Sequence, residues 1–144
     1  MLIDKLMEEW SIDCVIDDED IGGAALRTPN LHAKYLKILI DYKLKKAKGL
    51  SDMSTLRSLK SKYFRGLLTT DELKELGLDP YPFRVLKGEV DELIDADAAI
   101  QKIQNKLEYY NSAIYLLESI LQEIKSRFFH TRVAMYWVRF RAGG

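Results

Sequence analysis

Apolar residues recur at alternating spacings of three and four through the second half of the chain: Ile100, Ile103, Leu107, Tyr110, Ile114, Leu117, Leu121, Ile124 and Phe128. That spacing keeps one helical face apolar for four heptads. Met135 and Val138 continue the phase beyond the polar Thr131, and neither Gly nor Pro interrupts the run from Glu89 to Ala142. The pattern predicts one helix of some 50 residues, about 75 Å long at ~1.5 Å per residue. The rest of a 144-residue chain is too short and too charged to cover such a stripe. The stripe is therefore expected to pack partly against the chain's own N-terminal helices and partly against copies of itself. Leu107, Tyr110, Ile114, Leu117, Leu121, Ile124 and Phe128 form the expected self-association seam. The plainer reading is a long amphipathic helix buried within one small domain.

The first half is patterned in shorter pieces. An amphipathic helix is expected over Ile3 to Trp10, then an acidic loop, Asp13 and Asp17 through Asp20, bracketing a short strand at Cys14-Val15-Ile16 and ended by Gly22-Gly23. Thr28-Pro29 reads as a helix start, with the hydroxyl as N-cap and proline where a missing N–H costs nothing. That helix turns Leu31, Tyr35, Ile38 and Tyr42 inward and is expected to stop at Gly49. Ser51 or Asp52 then caps a third helix with Leu56 and Leu59 inward, ended by Gly66. Thr69-Thr70-Asp71-Glu72 has the form of a capping box and starts a short helix that Gly77 closes. Asp79-Pro80-Tyr81-Pro82-Phe83 cannot be helical through both prolines. The expected class is mainly α: short N-terminal helices carrying a basic patch at 1–78, a hinge at 79–88, and a C-terminal oligomerisation helix region at 89–144.

Charge sharpens this division. The formal net charge is zero, but residues 34–65 carry ten bases against two acids, net +8, and residues 125–144 carry five bases and no acid. Residues 1–33 are net −6 and residues 66–124 net −7. Local fields, not the global sum, decide what each surface attracts. The apolar fraction of 47% argues for a real core and against disorder. The single cysteine, Cys14, excludes an internal disulfide framework and reads as a small buried side chain, as in a reducing compartment. The opening Met1-Leu2-Ile3-Asp4-Lys5-Leu6 has an acid where a signal peptide needs bases, and no apolar run approaches ~18 residues. A soluble, intracellular protein without membrane contact is expected.

The chemistry-bearing motifs of the common enzymes are missing: there is no phosphate loop, no paired-glycine dinucleotide fingerprint, no nucleophile elbow and no histidine pair at metal-ligand spacing. No cofactor, metal or catalytic set is expected. His32 and His130 read as surface or interface side chains, and Asp17, Asp18, Glu19 and Asp20 as a solvated turn rather than a calcium loop. What remains is a basic block with aromatics set into it: Lys43, Lys45, Lys46, Lys48, Arg57, Lys60, Lys62, Tyr63, Phe64 and Arg65. Cations track phosphates, and neighbouring rings give unpaired bases a stacking face at ~1–3 kcal/mol per base. Two readings stand side by side: a single-strand-binding face, or Tyr63 and Phe64 packed into a core beneath a merely solvated basic surface.

The segment Lys60-Ser61-Lys62-Tyr63-Phe64-Arg65-Gly66 resembles the UvsY recombination mediators of large tailed phages. So does Ile124-Lys125-Ser126-Arg127-Phe128-Phe129 with its aromatic and arginine tail to Ala142-Gly143, and Ile16-Asp17 and Tyr35-Leu36 fit the same pattern. The resemblance spans nearly the whole chain, and its specific motif is Ile-Lys-Ser-Arg. It implies a non-enzymatic protein that binds single-stranded DNA and helps load a phage recombinase onto DNA coated by single-strand-binding protein. It further implies a ring-like homo-oligomer, hexamer or heptamer, built through the C-terminal parts, in the cytoplasm of the infected host cell. Family members place DNA-binding bases just ahead of the aromatic-aromatic-x-Gly segment, which here matches Lys60, with Arg57 nearby; Ser58 stands where a second base falls, so either Arg57 substitutes or that contact is absent. Pro80 and Pro82 depart from a more polar family linker. Residues alone leave open a coiled-coil scaffold whose bases balance its acids, and an RNA-binding helical regulator.

Overall fold

A computed structural model of the chain describes residues 2–143. Met1 of the opening segment and Gly144 lie outside them. The elements are α1 (Leu2–Asp13), α2 (Ile21–Leu26), α3 (Thr28–Phe64), α4 (Thr70–Leu76), α5 (Val90–Ala96), α6 (Ala98–Lys125) and α7 (Arg127–Arg141). The expected strand at 14–16 is absent: α1 runs on to Asp13, and no strand occurs among the described residues. Cys14 is exposed rather than buried, its thiol 3.6 Å from the Ser11 carbonyl oxygen.

The expected stop at Gly49 is overturned. α3 runs through it for 37 residues, so Ser51 and Asp52 cap nothing. Gly49 is there for packing: a Cβ added to it would come within 2.8 Å of the Leu107 Cδ2. Gly22 and Gly23 likewise sit inside α2, capped by the Asp20 carboxylate, which accepts from the Gly23 N–H at 3.2 Å. Thr28 does not cap α3; its hydroxyl donates to the Ala24 carbonyl at 3.3 Å. Three signals hold as read, one of them Gly77, which closes α4 at φ +66°. Gly66, at φ +70°, lets the Leu67 N–H reach the Lys62 carbonyl at 2.9 Å, and Thr69 and Glu72 form the reciprocal box that opens α4.

The unbroken C-terminal helix is overturned too, since neither break uses Gly or Pro. Asp97 is extended (ψ 132°), and its carboxylate accepts the Ala99 and Ile100 N–H groups at 3.0 and 3.2 Å, ending α5 and capping α6. At Ser126 the N–H is shared between the Gln122 and Glu123 carbonyls. Arg127 then turns into the interior, 4% exposed, with its guanidinium facing the carbonyls of Ala24 and Cys14 at 3.5 and 3.4 Å. The Ile-Lys-Ser-Arg motif is thus a helix break with an anchor.

The chain forms two units whose boundaries fall within α3 and α6, not at 79–88. The first, residues 1–44 with 111–144, buries Leu6, Tyr35, Leu39, Tyr42, Leu117, Ile120, Leu121 and Ile124. Trp10 meets Tyr35 edge-on at 5.5 Å, and the Tyr35 hydroxyl donates to Asp13 at 2.8 Å. The second, residues 45–110, is built on Met53, Val90, Ile94, Ile100 and Leu107, with Leu56, Phe64, Val85, Ile103 and Tyr110 packed against them. Within it α3 and α6 run antiparallel, position 49 meeting 107 and position 60 meeting 97.

Most of the expected seam is therefore spent inside the chain. Leu107, Leu117, Leu121 and Ile124 are buried and Tyr110 and Ile114 half-buried, while only Phe128 is open, at 75%. Exposed apolar residues also gather on α7, where Phe129, Val133, Tyr136, Trp137 and Phe140 share one side of the helix and Phe128 and Met135 point elsewhere.

Candidate nucleic-acid interface

The basic block falls mainly on the second half of α3, whose 3.6-residue period splits its cations into groups with different neighbours. Lys43 belongs to the first unit, where its ammonium stands 3.8 Å from the Glu118 carboxylate. The other nine candidates lie in the second unit. Arg57 pairs with Asp95 at 2.8 Å and Lys60 with Asp97 at 3.1 Å.

These two pairs differ in kind. The Arg57–Asp95 pair is open, its carboxylate 66% exposed, and exposed pairs contribute ~1 kcal/mol or less. The Lys60 and Asp97 side chains are only 20% and 16% exposed, and the same carboxylate caps α6. Burial pushes the Asp97 carboxyl up, but the Lys60 ammonium and the Ile100 and Ala99 N–H groups outweigh it and hold the group below its ordinary value. Lys60 is therefore a structural clamp between α3 and the α5–α6 junction. Arg57 faces Asp95, whereas Ser58 lines a separate groove with Lys62, Leu68 and Glu72.

Lys46, Lys48, Lys62 and Arg65 carry no ion pair among the described residues, and all but the half-buried Lys46 are exposed. They are the phosphate-ready members of the block. The aromatic pair divides differently. Phe64 packs on the core of its unit, and Tyr63 donates its hydroxyl to the Asp79 carbonyl at 2.9 Å. Both rings contact Tyr81, at 5.0 Å from Phe64 and 5.8 Å from Tyr63, and Tyr81 continues to Phe83 at 5.6 Å. Packing, not stacking availability, describes Tyr63 and Phe64. The accessible ring is Phe83, 69% exposed, next to Arg84.

Phe83 was hidden from sequence reasoning by its place between two prolines and the next helix, where it read as part of a hinge. Lys106 was hidden by the surrounding acids; on α6 it joins Lys45 and Lys48 of α3 around one cavity. A further cationic and apolar surface lies on α7 of the first unit, where Trp137 stacks on Phe140 at 5.7 Å and the Arg132 guanidinium lies 5.8 Å from the Tyr136 ring. Arg141 at its end pairs with Asp18 at 2.5 Å. No cluster of metal-ligating side chains occurs among the described residues, and no described helix is long and apolar enough to cross a membrane.

A family model described as "Recombination, repair and ssDNA binding protein UvsY" matches residues 9–144. Among solved structures, one crystal form of the bacteriophage T4 recombination mediator protein UvsY is similar at a TM-score of 0.84 with 21% identity, over 97% of this chain and 99% of that one. A second crystal form gives 0.81 with 22% identity over 96% of each chain. No curated protein sequence matches.

Proposed function

The chain belongs to the UvsY family of recombination, repair and single-stranded-DNA-binding proteins, and from that premise we propose that it is a non-enzymatic recombination mediator. It binds single-stranded DNA and helps load a phage recombinase onto strands coated by single-strand-binding protein, in the cytoplasm of the infected host cell. The observation that carries the reading is the set of unpaired cations Lys46, Lys48, Lys62 and Arg65 on one unit with the exposed Phe83 ring. Phosphates are met by the cations and a base by the ring.

The working form is a ring-like homo-oligomer of six or seven copies. The exposed side of α7 that carries Phe129, Val133, Tyr136, Trp137 and Phe140 supports self-association, because large apolar side chains gathered on one open helix side mark an interaction surface. A ring multiplies the binding face: once one subunit holds the strand, each further contact is intramolecular and the strand wraps many copies. A wrapped strand is one whose coating protein is weakened and whose backbone a recombinase filament takes over.

The scaffold reading draws on Arg57–Asp95 and Lys60–Asp97, bases that do balance acids within the chain. It leaves the four unpaired cations without a role. Recombinase loading tests the proposal, read as single-strand-dependent ATP hydrolysis by the recombinase on pre-coated strand. Stimulation by sub-saturating protein is expected. Normal strand binding with no stimulation at any ratio contradicts the mediator role.

A further inference from the structure

The second unit holds a cavity of about 220 Å3 between α3 and α6. Its lining sorts by exposure. Lys45, Lys48 and Lys106 are exposed, Ile103 and Tyr110 are half-buried, and Leu107 is buried. At its floor Gly49 lets Leu107 approach the α3 backbone closely; a Cβ there would meet the Leu107 Cδ2 at 2.8 Å. Three ammonium groups face one carboxylate, Asp52, so the cavity is net positive over an apolar interior. That combination fits a ligand that is anionic on the outside and flat and apolar within.

Size narrows the ligand further. Sites for whole drug-sized molecules and cofactors run to about 300–1,000 Å3, so 220 Å3 is too small for a complete nucleotide cofactor. It suits one ring system of a longer ligand whose remaining parts stay outside. Lys48 and Lys106 carry no ion pair among the described residues, and they stand on different helices. A strand that touches both must cross from α3 to α6.

We propose that this cavity seats one base of bound single-stranded DNA, with the flanking phosphates on Lys48 and Lys106 and the base against Tyr110 and Ile103. The inference rests on the nucleic-acid-binding reading and extends it: α6 becomes part of the strand's path, and Lys106 a contact residue outside the basic block. Single-stranded DNA is favoured over an acidic peptide because the lining offers an aromatic ring and aliphatic side chains beneath the cations, the pairing that sequence-tolerant strand binding uses.

The test uses the full-length protein and an oligothymidylate carrying 5-iodouracil, with photocrosslinking mapped by mass spectrometry and affinity measured by fluorescence anisotropy across salt. The expected adduct is on Tyr110. Lys106→Glu should remove most of it, weaken binding about tenfold at low salt and reduce the salt slope by ~0.7 for the lost phosphate, with the melting temperature unchanged because the side chain is exposed and unpaired. Adducts confined to 62–65 and 81–83, or a Lys106→Glu protein with wild-type affinity and slope, overturn the cavity site and leave the DNA-binding reading standing. A wild-type protein that binds no strand overturns both.

Discussion

A lysine's neighbours, more than its place in a charge run, decide what it does. Lys60 and Lys62 are two positions apart, yet Lys60 clamps the Asp97 carboxylate at 3.1 Å and Lys62 faces open solvent. Removing the clamp should therefore show in stability. Asp97→Ala loses the α6 cap, worth about 1 kcal/mol, and leaves Lys60 half-buried without its partner; a melting temperature lower by several degrees is expected by calorimetry. The pH dependence follows in sign. The Asp97 carboxyl titrates below its ordinary value in the fold, so its stabilisation is complete above the unfolded value near 4 and is lost as pH falls through the folded one. Asp97→Asn should flatten that acid limb of the stability curve. Asp95→Asn should act on binding instead, releasing Arg57 from its exposed pair and raising single-strand affinity at low salt, with stability unmoved. The sequence made the block of cations visible but not this sorting, because partners such as Asp95 and Asp97 lie some 37 or 38 positions away.

Among elements, the amphipathic spacing was legible and the breaks were not. Gly49 looks like a stop only if glycine is taken as a conformational choice. Here it is a choice of volume, made by Leu107 on the facing helix. Gly49→Leu should lower the melting temperature clearly, since overpacking a close helix contact costs about 1–3 kcal/mol. Gly88→Leu, with open space around its backbone, should change it little; comparable losses at both sites would contradict the packing role. Conversely, Asp97 and Ser126 break a run free of Gly and Pro. Asp97 carries a readable capping signal, but the apolar phase continues across it and masks it. The break at Ser126 has no signal of its own; it is set by Arg127, which reaches carbonyls more than 100 positions earlier in the chain.

For the whole molecule, the heptad stripe correctly marked a core face, but its partners are mostly the chain's own helices. Length misled: treated as one rod of about 75 Å, the stripe seemed to need other copies, whereas the run is divided among α5, α6 and α7, and in the second unit Met53 of α3 and Val90 and Ile94 of α5 already cluster with Ile100 and Leu107. This changes which substitutions separate folding from assembly. Leu117→Asp places a charge at a fully buried position and should unfold its unit. Trp137→Asp with Phe140→Asp alters only exposed positions of α7 and should leave helix content intact while dissociating the proposed oligomer. Circular dichroism and sedimentation on the same samples separate the outcomes; loss of assembly with Leu117→Asp at full helicity would restore the stripe as the seam.

The central claim is that the unpaired cations of the second unit hold single-stranded DNA through its phosphates. Its most direct measurement is the salt dependence of oligothymidylate binding, by fluorescence anisotropy, for the wild type and for Lys62→Glu with Arg65→Glu. The wild-type affinity should fall steeply with salt, and the double variant should bind far more weakly with a slope shallower by about 1.4, ~0.7 for each phosphate contact removed. Equal affinity and equal slope for the two proteins would contradict it.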